Sequence, residues 1–472
     1  VSKYLFTGNE WDVPLIKNVW DRIQTINEEK YGFEYTDSQM EVVTYDQMLY
    51  LYSTNGLPVM YPHWSFGAHH TQFINDYKNK KSGLALEMII NTEPPIAYLM
   101  ENNSAAAQTM VLAHASVGHA AFFKNNYLFK QWTRPSSIIA YLNFAKEYIS
   151  EMSTIHGQKH VERILDSCHA LENYGVFHYK RPPATKKKVD EKIQYYYDNR
   201  DQYWYGQYLD TYDEIKYWYE TEGQFPQENF LYFIEKNSMV LKKWEKEIVR
   251  IVYTIRQYFY PQIQTKIANE GFATWCGYEI CKDLYEQGYI TDSAYLEILE
   301  LHTAVIMQPD YNYGGQGFTQ LNPYKIGYEI FKDIQNRYDD HLDKIKDVVA
   351  NYRDDSFVRQ YLTKDIIDNL DLFAFELDTT KSEMYYDVQE ILGTSHDEEE
   401  LVKFYADLLL MENLFPRLEI IRFDKLERIV WVQYKSHMKR KFDPDQEDNR
   451  LVQIYFEELT GYIVKFVDVD RV

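Results

Sequence analysis

Cysteine is scarce in this chain: three in 472 residues, Cys168, Cys276 and Cys281, with no Cys-x-x-Cys pair among them. An odd, dispersed set excludes a disulfide scaffold and a zinc ribbon, and it points to a reducing compartment. Long apolar runs are missing as well. No stretch of about 18 apolar residues is present to span a bilayer, and the N-terminal VSKYLFTGNEWD has no apolar centre of the kind a secretory signal carries. The expected location is therefore the cytoplasm. Positive charge is in deficit, with 50 Lys and Arg against 72 Asp and Glu and a net charge of −22. Such a surface repels phosphate backbones. The two dense basic runs, Lys186–Lys188 and Lys439–Lys441, make no broad face, so nucleic acid is not an expected partner.

What the chain has is apolar material, 45% of its residues, enough for a full core without a structural metal. From about residue 10 to about 375 the apolar spacing is helical, and this stretch reads as one mainly α domain. Ser104 is placed to cap a helix through AAAQTMVLAHASV. Pro261 is expected to open a long helix through QIQTKIANEGFATWCGYEICKDLYEQ that stops at Gly288. Asn322-Pro323 pairs a capping residue with proline at the first helical position. Between about 180 and 227 the chain turns rich in Pro, Lys and Tyr and reads as an insertion. The last stretch, 376–472, changes character. SEMYYDVQEIL alternates like a strand, DEEELVKFYADLLLMENL is helical, and RLEIIRF and RIVWVQYKSH form a strand pair across DKLE. NRLVQIYFEELTG is helical and YIVKFVDVD closes as a strand. The order β-α-β-β-α-β predicts a C-terminal α+β ferredoxin-like domain, a docking or regulatory module more often than a catalytic one.

Chemistry concentrates in LAHASVGHAAFFKNN, where His114 and His119 sit inside an apolar stretch. Either histidine alone fits a satisfied core position. Their i, i+5 spacing does not share a face of a regular α-helix, but a π-bulge at Val117-Gly118 would bring them together. No glutamate follows His114, so this is not His-Glu-x-x-His. In ANEGFATWCGY, Glu270 is followed by the small residues Ala273, Thr274 and Gly277 at i+3, i+4 and i+7, which leave a groove for another helix or a ligand. Buried, such a carboxylate requires a cation, a metal or a donor. Two histidines and a glutamate make the ligand set of a catalytic zinc with one position left for water. His302, in LEILELHTAVIMQP, points into the core by its apolar neighbours and is a further ligand, a proton shuttle or a plain core histidine.

YPHWSFG (61–67), NTEPPIAYLMENN (91–103), LAHASVGHAAFFKNNYLF (112–129), LDSCHALENYGV (165–176), NEGFATW (269–275) and LNPYKIGYEIFKDI (321–334) resemble, in order and spacing, the stage V sporulation protein R (SpoVR) family. That resemblance implies an association with the spore cortex, a peptidoglycan layer, or with a bacterial stress pathway. It also implies a serine protein kinase and a von Willebrand A-like protein as partners. The Gly-His pair followed by an Glu-Gly-x-Ala helix is similar to zincin-like peptidases, which implies a zincin-like helical domain. On this reading His114, His119 and Glu270 hold Zn2+, and His302 or Glu101 activates water to hydrolyse an amide or peptide bond. The substrate would then be a peptide or related to peptidoglycan. The family's glutamate motif usually reads Asn-Glu-Gly-Trp-Ala, then an aromatic pair and a histidine. Here Phe272 replaces the tryptophan and Gly277 stands at the histidine position. The alternative is a regulatory or scaffold protein, with the polar cluster as core and the C-terminal domain docking a partner.

Overall fold

The computed structural model describes residues 4–54, 57, 59–78, 87–179, 186–202, 210–221, 227–308, 322–370, 398–410, 417–435 and 447–468. The described residues are mainly helical, with two small mixed sheets. No helix among them is long and apolar enough to cross a membrane. Contacts divide the chain into two units: Val1–Ser150 with Phe259–Asn413, and Glu151–Tyr258 with Leu414–Val472.

The first unit is built on the helix Lys266–Glu286. Its small residues let two neighbours approach closely. Gly118, in the segment Leu112–His119, comes so near that a Cβ there would lie 2.6 Å from Ala273 Cα. Gly271 packs against Gly327 of the helix Pro323–Arg337, where a Cβ on either would collide with the other's backbone. The apolar side chains Phe272, Trp275 and Phe331 fill the space around these crossings and are fully buried. A three-stranded sheet lies in the same unit: β1 (Gln39–Val43), β2 (Glu87–Ile90) and β3 (Ile96–Met100). β3 is central, parallel to β1 and antiparallel to β2, so among the described residues β2 is an edge strand.

Helix ends follow local chemistry where local chemistry decides. Ser104 Oγ accepts from Ala107 N–H, and Asn322 Oδ1 accepts from Tyr324 N–H ahead of the helix that Pro323 opens. Gly288, at φ +72°, closes the Lys266–Glu286 helix in the left-handed conformation glycine tolerates best. Pro261 behaves otherwise than expected. It lies inside the preceding helix, Lys243–Gln264, and the next helix opens only at Lys266. The cause is tertiary: the buried carboxylate of Asp354 accepts from the N–H groups of Ile267 and Ala268 at 3.0 and 2.9 Å. The cap that starts this helix therefore comes from 86 residues downstream.

In the second unit, β4 (Arg417–Asp424) and β5 (Ile429–Lys435) form the expected antiparallel pair across a short turn. β6 (Ile463–Asp468) follows the helix Glu447–Thr460 and pairs in parallel with β5. Phe230, Phe233, Phe423, Phe456 and Tyr462 make its aromatic core. The β5–helix–β6 unit is unsplit, because its two strands hydrogen-bond directly. A ferredoxin-like sheet needs a strand between them, so the described strands depart from that arrangement. The strand expected over 382–392 lies outside the described residues. The helix Glu398–Leu410, expected as its neighbour, belongs to the first unit. Within 180–227, the helices Lys186–Asp198 and Tyr212–Thr221 fall in the second unit.

Candidate metal centre

The helix Ala105–Val111 runs without a break into a π-helical segment, Leu112–His119, and on into the helix Ala120–Asn125. A π-helix bonds i to i+5, so residues five apart stand one above the other. This is the bulge that the i, i+5 spacing called for, extended over eight residues. His114 and His119 face each other with Nε2 atoms 3.2 Å apart, and both are about 95% buried. The groove beside Glu270 is filled by this same segment. Gly118 packs on Ala273, and a Cβ at Gly277 would lie 3.3 Å from His114 Cβ.

The close crossing brings Glu270 Oε2 to 3.3 Å from His119 Nε2 and 3.9 Å from His114 Nε2. A fourth donor arrives from β2: Glu87 Oε1 is 3.2 Å from His114 Nε2. Donor atoms of Glu87, His114 and His119 all lie within 4.8 Å of one another. A tetrahedral ion with bonds of about 2.1 Å keeps its donors about 3.4 Å apart, and these separations bracket that value. Around the donors, His119 Nδ1 donates to Asn269 Oδ1 at 3.0 Å, which leaves Nε2 of the neutral ring with the lone pair a metal needs. Tyr324 stacks on the His114 ring, with centroids 6.4 Å apart, and hydrogen-bonds Glu270. Glu87 Oε2 is buried with no hydrogen-bond donor, and Glu270 Oε2 is buried with the His119 imidazole 3.3 Å away as its neighbour.

Protonation follows from this crowding. Burial pushes the Glu87 carboxyl up to about 8, with Glu270 adding to the rise and His119 opposing it. Burial, and then the neighbouring His119 and His302, hold His114 well below its usual value. Burial also pulls His119 down, but the charge and hydrogen bond of Glu270, with Glu87 and Asn269, outweigh it and lift His119 to about 9. The metal-free cluster thus keeps protons where a divalent ion would put its charge.

The donors open on a cavity of about 580 Å³ walled by Tyr52, Met88, Met110, Phe123, Val305 and Tyr324. Of the two residues expected to activate water, neither lines it. Glu101 is exposed in the turn after β3. His302 is buried against Tyr278 and Tyr328, at ring distances of 4.7 and 4.8 Å, on a helix whose Leu301, Ala304 and Val305 face the cavity instead. Burial, then Lys325 and Lys332, lower His302 to about 4 against the pull of Glu329, so it is neutral at physiological pH. Sequence reading missed Glu87, Asn269 and Tyr324. Glu87 had a usable signal, a lone charge within the apolar run LALEMII; Tyr324 was one of 44 tyrosines.

The comparison with protein families agrees with the resemblance carried by the sequence blocks. A profile described as SpoVR like protein matches residues 10–403. The chain belongs to the SpoVR family. It is also 36% identical to the uncharacterized protein YcgB of Escherichia coli (strain K12), over 94% of this chain and 90% of that one. No solved structure matches it. The SpoVR region contains all four donors and ends before β4–β6. Gly277 packs directly against His114, one of the donors.

Proposed function

We propose that this SpoVR protein is a metal-dependent hydrolase of an amide or peptide bond. His114, His119 and Glu270 hold a divalent ion, zinc first among the expectations. The observation that carries the reading is the convergence of two buried imidazole Nε2 atoms and two carboxylates at the base of an apolar cavity, with the carboxylate oxygens short of donors. A buried carboxylate without a partner is costly, and a cation removes that cost. Two histidines from one helical segment and a glutamate from a later helix also suit a zincin-like arrangement.

When bound, zinc polarises a carbonyl and lowers the pKa of water toward neutrality. The protein's own groups do the rest. Asn269 orients the His119 ring, and Tyr324 holds Glu270 toward the imidazoles. The largely apolar walls leave room for a group of side-chain size or larger.

Elemental analysis of protein purified without chelator tests the reading: close to one zinc per chain is expected. Glu270→Gln should lose the metal while keeping its circular dichroism spectrum. Metal-free protein that takes up no zinc on titration would leave the cluster a polar core, as in the scaffold alternative.

A further inference from the structure

The four donors are not equivalent. A hydrolytic zinc centre keeps one position for water, and four permanent protein ligands in a tetrahedron leave none. If the centre is hydrolytic, one of the four side chains must do something other than ligate. The histidines are fixed by the π-helical segment with both Nε2 atoms converging, so the choice lies between the two carboxylates.

Glu270 has the surroundings of a ligand. Its helix is pinned on one side by Gly118 against Ala273 and on the other by Gly271 against Gly327. Its carboxylate is held by Tyr324, and its Oε2 approaches both imidazole nitrogens. Glu87 has different surroundings. It lies on β2, which among the described residues pairs only with β3. One carboxylate oxygen, Oε1, faces a single imidazole, His114, and the other, Oε2, is buried away from both histidine pairings that Glu270 Oε2 makes. Its strand neighbours Met88 and Ile89 wall the cavity, so the carboxylate sits at the border between the donors and the space a substrate would enter.

We propose that Glu87 is the catalytic proton acceptor of this centre and that Glu270 is its carboxylate ligand. The inference rests on the metal-dependent hydrolase reading above. A water in the cavity gives one proton to the Glu87 carboxylate as its oxygen forms a bond to the amide carbonyl carbon. The carbon–nitrogen bond then breaks, and the Glu87 carboxyl returns the proton to the leaving nitrogen, so that one water is consumed and an acid and an amine are formed. Glu87 thereby fills the place left open by the missing glutamate after His114 and by Glu101 and His302, neither of which lines the cavity.

The test uses the full chain, stripped of metal and titrated with Zn2+ against a chromophoric chelator, then with acetohydroxamic acid. That probe takes an open metal position and gives its hydroxyl proton to an adjacent base on binding. Wild type should bind one zinc and one acetohydroxamate. Glu270→Gln should weaken zinc about 100-fold or more, whereas Glu87→Gln should keep zinc within about 5-fold and weaken acetohydroxamate about 10-fold or more. Glu87→Asp should restore part of the acetohydroxamate affinity, and thermal melts of each variant report folding. Loss of zinc in Glu87→Gln equal to that in Glu270→Gln would make Glu87 a ligand and overturn the proposal. So would zinc-loaded wild type that takes no acetohydroxamate, or a Glu87→Gln protein that binds both normally. Wild type that binds no zinc would instead overturn the hydrolase reading itself.

Discussion

Gly118→Ala isolates the contact on which the centre's geometry depends. A Cβ at this position would lie 2.6 Å from Ala273 Cα and 2.9 Å from Ala273 Cβ. Non-bonded carbons rest about 3.5–4.0 Å apart, so the π-helical segment and the Lys266–Glu286 helix must separate by about 1 Å. The obstructing atoms belong to a backbone in the core, so relief falls at the upper end of the overpacking range, about 3 kcal/mol. Replacing a helical glycine with alanine gains about 1 kcal/mol from propensity. The expected net loss is about 2 kcal/mol, and its sign is opposite to what propensity alone gives. Because Ala273 lies one turn beyond Glu270, the same separation widens the 3.3 Å approach of Glu270 to His119 and weakens zinc binding. Gly277→Ala is the matched comparison: its Cβ would meet His114 Cβ at 3.3 Å, a gap closed by a shift of a few tenths of an ångström. Urea unfolding followed by circular dichroism, beside zinc titration, reads both effects. A Gly118→Ala protein whose midpoint equals or exceeds that of wild type would refute the close-crossing argument.

Asp354→Ala removes both acceptors from the start of the helix that carries Glu270 and should cost about 1–2 kcal/mol, measured by the same urea unfolding. An unchanged midpoint would mean that water replaces the cap. His302→Phe should leave zinc stoichiometry unchanged and stability within about 1.5 kcal/mol of wild type, because a neutral ring with an unbonded Nδ1 is replaced by a similar apolar one. Loss of zinc in that variant would return His302 to the centre. Zinc affinity should rise with pH up to about 8–9. Without metal His119, at about 9, is protonated at pH 7, and the ion it ligates displaces that proton, while Glu87, at about 8, loses its own over the same range. Competition titrations between pH 6 and 8 with a constant Kd would contradict this.

Local rules carried the sequence reading as far as local rules decide structure. The i, i+5 histidine pair was legible because a π-helical turn is a property of consecutive residues, and the end at Gly288 because a left-handed glycine stops a helix wherever it stands. Ser104 and Asn322 were legible for the same reason. Pro261 misled because proline at a helix start is only a local preference, and the start of the next helix was settled by Asp354, which no window around residue 261 contains. In the C-terminal region the β4–β5 pair was legible from its short turn, whereas the choice of partner for β6 depends on crossover geometry that an alternating apolar pattern does not encode.

The same distinction explains which half of the centre was visible. Glu270 was noticed because small residues at i+3 and i+7 marked its face for close packing, and that face is where the histidine segment lies. Glu87 offers no periodic signal. What singles it out is the cost of placing a carboxylate within LALEMII. That cost is of the same kind that drew attention to two histidines in an apolar stretch. A charge in an apolar run marks a site only when the fold supplies its counterpart, and here the counterpart is His114, 27 positions away. The residue that sequence patterns hid is thus the one whose role rests most heavily on the assembled cavity, which is why Glu87→Gln and Glu270→Gln, alike in sequence terms, should behave differently in the folded protein.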